Sequence, residues 1–175
     1  MNDLPLAKKS QPPAEGGFAH ALGARSAALT WADLPPSALH WAKVGIIDTL
    51  GVTLAGSREP AARLCAKSLD LSDGPSLLLG SSRRCGALDA ALVNGTQVQG
   101  FELDDVHRQG VMHVGAVVLP ALIAIAETRP GMNGKDFLAS AVAGYETGPR
   151  VGICMGQEHI AQGWHSGATL GVFSA

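Results

Sequence analysis

The 175-residue sequence is short of charged residues, and this shortage excludes some classes of protein. Charged residues make up 16% of the chain and the formal net charge is −2. The chain therefore offers no basic face for nucleic acid or for an anionic membrane. A charged fraction this low is unusual for a freestanding soluble monomer. We expect part of the surface to be covered by a partner subunit or by further chain.

Cysteine is also scarce. Cys65, Cys85 and Cys154 are the three cysteines, and they lie far apart in the sequence. An odd number without CxxC spacing argues against a disulfide framework and against a zinc site. Buried cysteine commonly acts as a small apolar residue. The sequence indicates a reducing, cytoplasmic setting.

Long hydrophobic runs are missing as well. The longest apolar run, residues 114–126, is too short to span a bilayer and contains Pro120. Residues 1–17 have no hydrophobic segment of the secretory type, and they contain Asp but no Arg, unlike a mitochondrial presequence. Their Pro, Gln, Lys and Ser residues predict a disordered leader.

Apolar residues nevertheless make up 46% of the chain, and their spacing predicts an all-α fold with at most one short β-hairpin. The hairpin is expected at 76–79, with its turn at 81–84. Asn94-Gly95 predicts a cap or kink in the helix that begins near Gly86. Helices are predicted over 18–29, 37–55, 61–69, from 86 onward, 114–127, 134–154 and from 163–167 onward.

Two helices carry specific expectations about burial. In the helix over 37–55 the spacing predicts a core-facing apolar stripe, formed by Leu39, Ala42, Ile46, Leu50 and Leu54. The helix over 114–127 is apolar on every side, which predicts full burial, with Pro120 kinking it or starting its straight part.

The chemistry-bearing residue types concentrate in residues 94–120. Asp104, Asp105, His107 and His113 lie there among four glycines. Carboxylates and imidazoles suit general acid–base catalysis, and the same types could hold a hard or borderline cation. A solvated loop between two core helices would also fit these residues. The residues alone leave these three interpretations open.

His165 is the second candidate. It lies between glycines, beside Trp164, at a predicted helix N-terminus, where backbone N–H groups favour an anion such as a carboxylate. Alternatively, His165 caps the helix or pairs with Glu158. His159, which has Glu158 beside it and no glycine frame, is interpreted as structural.

Four segments, in this order, resemble the MmgE/PrpD family, which includes 2-methylcitrate dehydratase and cis-aconitate decarboxylase. They are WADLPPSALHWAKVGIIDTLGVTLAGS, ALDAALVNGTQVQGFELDDVH, HVGAVVLPALIAIAE and GWHSGATLGVFSA. The resemblance implies a helical domain with a smaller lid domain, a homodimer, a small polycarboxylate substrate and no metal or organic cofactor. Family members are longer, so residues 18–175 are predicted to be the first part of the helical domain, without the lid.

The resemblance also implies site residues. The family's catalytic positions correspond to Asp104, Asp105, His113 and His165, and His165 is also a substrate-binding candidate. His107, next to the motif, is added as a second substrate-binding candidate. The hypothesis is a cofactor-independent lyase in which His113 moves the proton and one of the two aspartates orients it. Dehydration, decarboxylation and isomerisation stay open.

Whether the chain is itself an enzyme also stays open, because the family's active-site lysines come after the part of the family that this chain resembles. The first alternative is a catalytically incomplete helical fragment that only dimerises or binds a partner. The second is a metal-dependent hydrolase that uses the Asp/His cluster.

Overall fold

The structure is a computed structural model that describes residues 16–175. Within these residues it contains seven α-helices, two short 3-10 helices and one two-stranded antiparallel hairpin, which confirms the predicted mainly helical fold. The predicted leader, residues 1–17, falls outside this range except for Gly16 and Gly17. The α-helices are α1 (Phe18–Ala28), α2 (Pro36–Gly56), α3 (Pro60–Ser68), α4 (Ala87–Gln99), α5 (Val114–Ala126), α6 (Gly134–Ala161) and α7 (Ser166–Leu170). The strands are β1 (Ser76–Leu77) and β2 (Arg84–Cys85), and the 3-10 helices are Trp31–Asp33 and Gly171–Phe173.

The core is organised around α5, which packs between α4 and α6. Its principal cluster of buried side chains includes Met112, Val114, Val118 and Leu119, with Leu170 of α7 closing one end. The predicted burial of α5 is correct for most of its length, although Ile125 is 40% exposed. Several candidate site residues lie next to the N-terminus of this helix.

The prediction that Asn94-Gly95 caps or kinks a helix is wrong, since α4 continues through both residues to Gln99. Asn94 is fully buried, and its side chain accepts from Leu79 N at 3.0 Å and donates to Leu77 O at 3.0 Å, which ties the hairpin to α4. Gly95 faces α5, where a Cβ would lie 3.4 Å from the Ala116 carbonyl oxygen, close to an ordinary van der Waals contact. Within α5 this Ala116 carbonyl oxygen lacks its usual helical donor, because Pro120, four residues later, has no N–H.

The predicted apolar stripe of α2 is only partly buried: Ile46 packs against the core cluster, but no residue of the stripe is fully buried. The buried residues are Thr49, Val52, Thr53 and Gly56, whereas Leu54 is 53% exposed. A Cβ at Gly56 would lie 1.7 Å from the Gln97 carbonyl oxygen, so α2 meets α4 through its smallest residues. Burying Thr53 costs little because its hydroxyl donates to Thr49 O at 2.6 Å. Close backbone approach therefore outweighs the apolar stripe in orienting this helix.

The predicted helix over 134–154 continues further than expected, to Ala161, with a break at Gly156. Gly156 has φ +70° and ψ −177°, a conformation that only glycine adopts readily. The break separates the long packed part of α6 from the short segment that leads to His165. No helix within residues 16–175 is both long and apolar enough to cross a membrane.

Candidate functional site

The loop between α4 and α5 carries most of the candidate residues and is held in a strained conformation. Glu102 and Val111 have positive φ values of 59° and 45°. Such values cost energy for any residue other than glycine, especially a β-branched one. A β-bridge between His107 and Met112 closes the loop. The chain then enters α5 directly, with His113 as the residue before its first turn.

His113 and Asp104 form a hydrogen-bonded pair in this loop. His113 Nδ1 lies 3.1 Å from Asp104 Oδ2, and the Asp104 side chain is fully buried while that of His113 is 16% exposed. An ionised carboxylate only accepts hydrogen bonds, so the Nδ1–H of His113 donates to it. The neutral ring then has its lone pair on Nε2, on the side where Glu102 Oε2 lies 3.5 Å away.

The Asp104 carboxylate is an unfavourable group in its position. Burial raises its pKa, the nearby His113 lowers the pKa through its charge and hydrogen bond, and the charge of Asp105 raises it further. Its second oxygen, Oδ1, is buried and has no hydrogen-bond partner among the described residues. A buried, half-satisfied carboxylate destabilises a fold. A pKa raised by burial beside a specific partner is typical of functional sites.

His165 lies beside this pair although it is far away in the sequence. The rings of His113 and His165 stack with centroids 6.4 Å apart and planes 22° apart. His165 Nδ1 accepts from Ala168 N at 3.2 Å, and its Nε2 lies 3.2 Å from the Gln99 side-chain amide. The capping role that the sequence left open is therefore present, and it does not remove His165 from the site.

A hydrogen-bonded chain holds the backbone of His165. Thr169 Oγ1 donates to His165 O at 3.0 Å, so the hydroxyl accepts from His159 Nε2 at 2.7 Å. The His159 ring also stacks on Trp164 with centroids 6.3 Å apart. The partner of His159 is thus Thr169, and the structural role of His159 stays a prediction.

Asp105 and His107 do not join the cluster of Asp104, His113 and His165. Asp105 Oδ1 accepts from Gly115 N at 2.7 Å and so holds the first turn of α5. His107 Nδ1 accepts from Gly110 N at 3.0 Å. Both residues line an open groove of about 730 Å³ between α2 and α6. The predicted site residues are thereby divided between two places on the molecule.

Tyr145 of α6 lines the same groove and is not among the predicted site residues. Burial and the charge of Asp105 raise the pKa of its hydroxyl, so Tyr145 stays protonated at neutral pH. Gln99 and Glu102 were missed altogether. Glu102 stands in the acidic stretch and could have been considered, whereas nothing in the sequence marks Gln99. In residues 16–175 no three His, Cys, Asp or Glu side chains come together in a way that could hold a metal ion.

Comparison with known proteins matches residues 21–175 to the MmgE/PrpD N-terminal domain. The cis-aconitate decarboxylase-like protein oryM of Aspergillus oryzae is 39% identical over 148 residues, which are 79% of this chain and 31% of that protein. The cis-aconitate decarboxylase of Aspergillus terreus is 32% identical over 146 residues, again 79% of this chain and 30% of that protein. The chain thus spans less than a third of the length of these relatives.

Proposed function

Because the chain belongs to the MmgE/PrpD family, we propose that it provides part of the active site of a lyase that acts on a small polycarboxylate. The observation that carries this proposal is the His113–Asp104 pair, with a fully buried carboxylate at 3.1 Å from an imidazole that remains partly open to solvent. The curated relatives, which are cis-aconitate decarboxylases or similar to them, support the reaction class.

The chemistry of such a lyase fits these residues. Loss of water or carbon dioxide from a polycarboxylate requires proton transfer at a carbon next to a carboxylate, and an oriented imidazole can supply it near neutral pH. We propose that His113 moves this proton through Nε2 and that Asp104 orients the ring. His165 binds a substrate carboxylate or acts as the second acid–base group. No cofactor takes part in this proposal.

Asp105 and His107 have more distant roles in this proposal. Asp105 accepts from Gly115 N, so it would act by holding the start of α5, directly behind His113. His107 lines the groove with Tyr145, and binding of substrate through His107 remains a prediction. Of the two aspartates, Asp104 is the one in contact with an imidazole.

Calorimetric titration of the purified chain with citrate, 2-methylcitrate and cis-aconitate tests the proposal. We expect saturable binding that is lost in His113→Ala and kept in His40→Ala, which removes an exposed histidine on α2. Equal binding by both variants would refute the role of His113. A folded chain that binds none of the three acids would refute the proposal that this chain provides part of a polycarboxylate-binding active site.

A non-catalytic role is the second candidate, favoured by one specific observation. Large apolar side chains lie exposed on several helices, among them Trp41 at 67% and Ile47 at 70%. Such surfaces are typical of sites that other chain covers. We propose that the protein forms a homodimer and is cytoplasmic, in keeping with its three free cysteines. A stable dimer without polycarboxylate binding would favour a purely structural role.

The metal-dependent hydrolase is the less favoured alternative. The described residues bring no three metal-binding side chains together, and the Asp104–His113 contact occupies one nitrogen of the best-placed imidazole. Elemental analysis of the purified protein checks this point, since a stoichiometric bound metal would favour the hydrolase.

A further inference from the structure

The hydrogen bonds around the two stacked imidazoles point to opposite tautomers, and we infer that Gln99 is the positioning residue that holds the His165 ring in its tautomer. This inference rests on the proposed function and gives the two histidines different parts in it. It begins from a requirement of imidazole chemistry: in a neutral ring one nitrogen donates a hydrogen bond and the other accepts.

His113 is the simpler of the two rings. Its Nδ1 faces the buried carboxylate of Asp104 at 3.1 Å. The carboxylate has no proton to donate when ionised, so Nδ1 carries the hydrogen and Nε2 carries the lone pair. Free imidazole is not restricted in this way, since nothing prevents its two tautomers from exchanging. Asp104 thus keeps the hydrogen on Nδ1, and the Nε2 lone pair faces Glu102 Oε2 at 3.5 Å. A proton taken up at Nε2 therefore lies between two carboxylates.

His165 is constrained from the other side of its ring. Its Nδ1 lies 3.2 Å from the backbone N–H of Ala168, which can only donate. Nδ1 must therefore accept, and Nε2 must carry the hydrogen. With the hydrogen on Nδ1 instead, two donors would face each other at 3.2 Å, and the Ala168 N–H would keep only its bond to the His165 carbonyl oxygen at 3.1 Å. The first turn of α7 thus favours the Nε2–H form.

Gln99 completes this arrangement. The structure places its amide nitrogen 3.2 Å from His165 Nε2. The oxygen and nitrogen of a glutamine amide have nearly the same shape, so rotating the amide by half a turn puts the oxygen at this position. Because Nε2 donates, the amide oxygen is the atom that accepts from it. Gln99 is the last residue of α4, and the strained loop that leads to His113 follows it directly. It therefore links the His165 ring to the element that positions the other imidazole.

The consequence concerns the resting state of the site. The lone pair on His113 Nε2 can take up a proton from the substrate. The hydrogen on His165 Nε2 can be shared in a hydrogen bond with a substrate oxygen, since a neutral imidazole is too weak an acid to give that hydrogen up near neutral pH. His113 is therefore the base, and His165 is a hydrogen-bond donor. The substrate group that replaces the Gln99 oxygen at Nε2 must be an acceptor, as a carboxylate is.

Nitrogen NMR of the chain tests this without requiring turnover. Long-range proton–nitrogen spectra of protein labelled in histidine are recorded at about pH 9, well above the ordinary imidazole pKa of roughly 6.5. We expect the Nδ1–H signature for His113 and the Nε2–H signature for His165. In Gln99→Leu, we expect His165 to shift toward the tautomer mixture of free histidine, since a single contact to Ala168 then holds its exposed ring.

Two further variants make the test specific. Gln99→Glu keeps an acceptor at the same place, so His165 should keep the Nε2–H signature. Gln109→Leu makes the same chemical change at an exposed position of the loop and should leave His165 as in the wild type. An Nδ1–H signature for His165, or an unchanged His165 in Gln99→Leu, would overturn the inference.

The same samples separate this inference from the proposed function. Citrate titration reports whether the site binds a polycarboxylate, whereas the nitrogen spectra report only the ring states. Tautomers as expected in a chain that binds no citrate would support the inference and refute the proposed function. Citrate binding with mixed tautomers at both rings would support the proposed function and overturn the inference about Gln99.

Discussion

Asp104 has a fully buried side chain, with one carboxylate oxygen bonded to His113 and the other without a partner among the described residues. Burial is the main cause that raises its pKa above the ordinary value of 3.8. The folded chain therefore holds this proton more tightly than the unfolded chain does. It follows that the contribution of Asp104 to the free energy of unfolding decreases as the pH rises from about 3.8 through its folded-state pKa.

We predict that Asp104→Asn raises the free energy of unfolding at neutral pH, because it removes a buried charge and keeps an oxygen that can accept from His113. The gain should shrink as the pH falls toward 3.8, where the wild-type carboxyl takes up its proton. The variant should also lose polycarboxylate binding or turnover. Urea titrations across this pH range measure the first effect, with the exposed Asp73→Asn as the control. A variant that is less stable than the wild type at every pH would contradict the prediction.

At the scale of elements, the site depends on how closely the N-terminus of α5 approaches α2 and α6. Gly115 lies in the first turn of α5, and its N–H donates to Asp105. A Cβ at this position would lie 2.5 Å from Thr49 Oγ1, 2.7 Å from Asp105 Oδ1 and 2.8 Å from the Tyr145 hydroxyl. Three polar groups from three parts of the chain therefore converge on a residue without a side chain, directly behind His113.

We predict that Gly115→Ala lowers the free energy of unfolding by about 2 kcal/mol or more, the range of overpacked core substitutions. It should also weaken citrate binding, because α5 must shift and His113 precedes it. Gly51→Ala is the matched control: it lies on the exposed side of α2 with no atom within 4 Å of its Cβ. That change should raise stability by about 0.5–1 kcal/mol through helix propensity. Thermal unfolding of both variants decides the matter, and similar effects at the two glycines would count against close packing at Gly115.

At the scale of the whole molecule, the chain leaves large apolar side chains exposed on α2, α4 and near the break in α6. Trp41, Ile47, Leu88 and Ile153 are 67%, 70%, 85% and 48% exposed. The chain has few charges to counter this, with a charged fraction of 16% and a net charge of −2. The surface of the described residues is thus apolar at several places on these helices.

We predict that the purified chain associates in solution and that sodium sulfate strengthens the association. Sulfate is excluded from protein surfaces and strengthens apolar burial, whereas it would screen an association based on charge. Sedimentation velocity over a range of protein concentrations, with and without sulfate, makes the comparison. A mass that stays monomeric, or one that falls on adding sulfate, would show that the exposed apolar surfaces do not associate.

Much of the local structure followed from the sequence. Helices predicted to start at 37 and 61 begin one residue earlier, at Pro36 and Pro60, since proline suits the first turn of a helix. The apolar run at 114–126 predicted the buried α5, and the glycines around His165 predicted the entry to α7. These features depend on short-range backbone preferences and on apolar periodicity, which a single sequence displays directly.

Only the tertiary structure decided which candidate residues meet. Asp104 and Asp105 are neighbours in the sequence, yet one contacts His113 and the other the backbone of Gly115. Gln99 and His165 are 66 positions apart and their side chains touch. The buried side of α2 is likewise decided by its approach to α4 at Gly56 and not by its apolar stripe. The sequence by itself determined the helices, the family and the residue types of the site, because these depend on local pattern. The pairing of those residues depends on how closely helices approach, which the missing side chains of a few glycines permit.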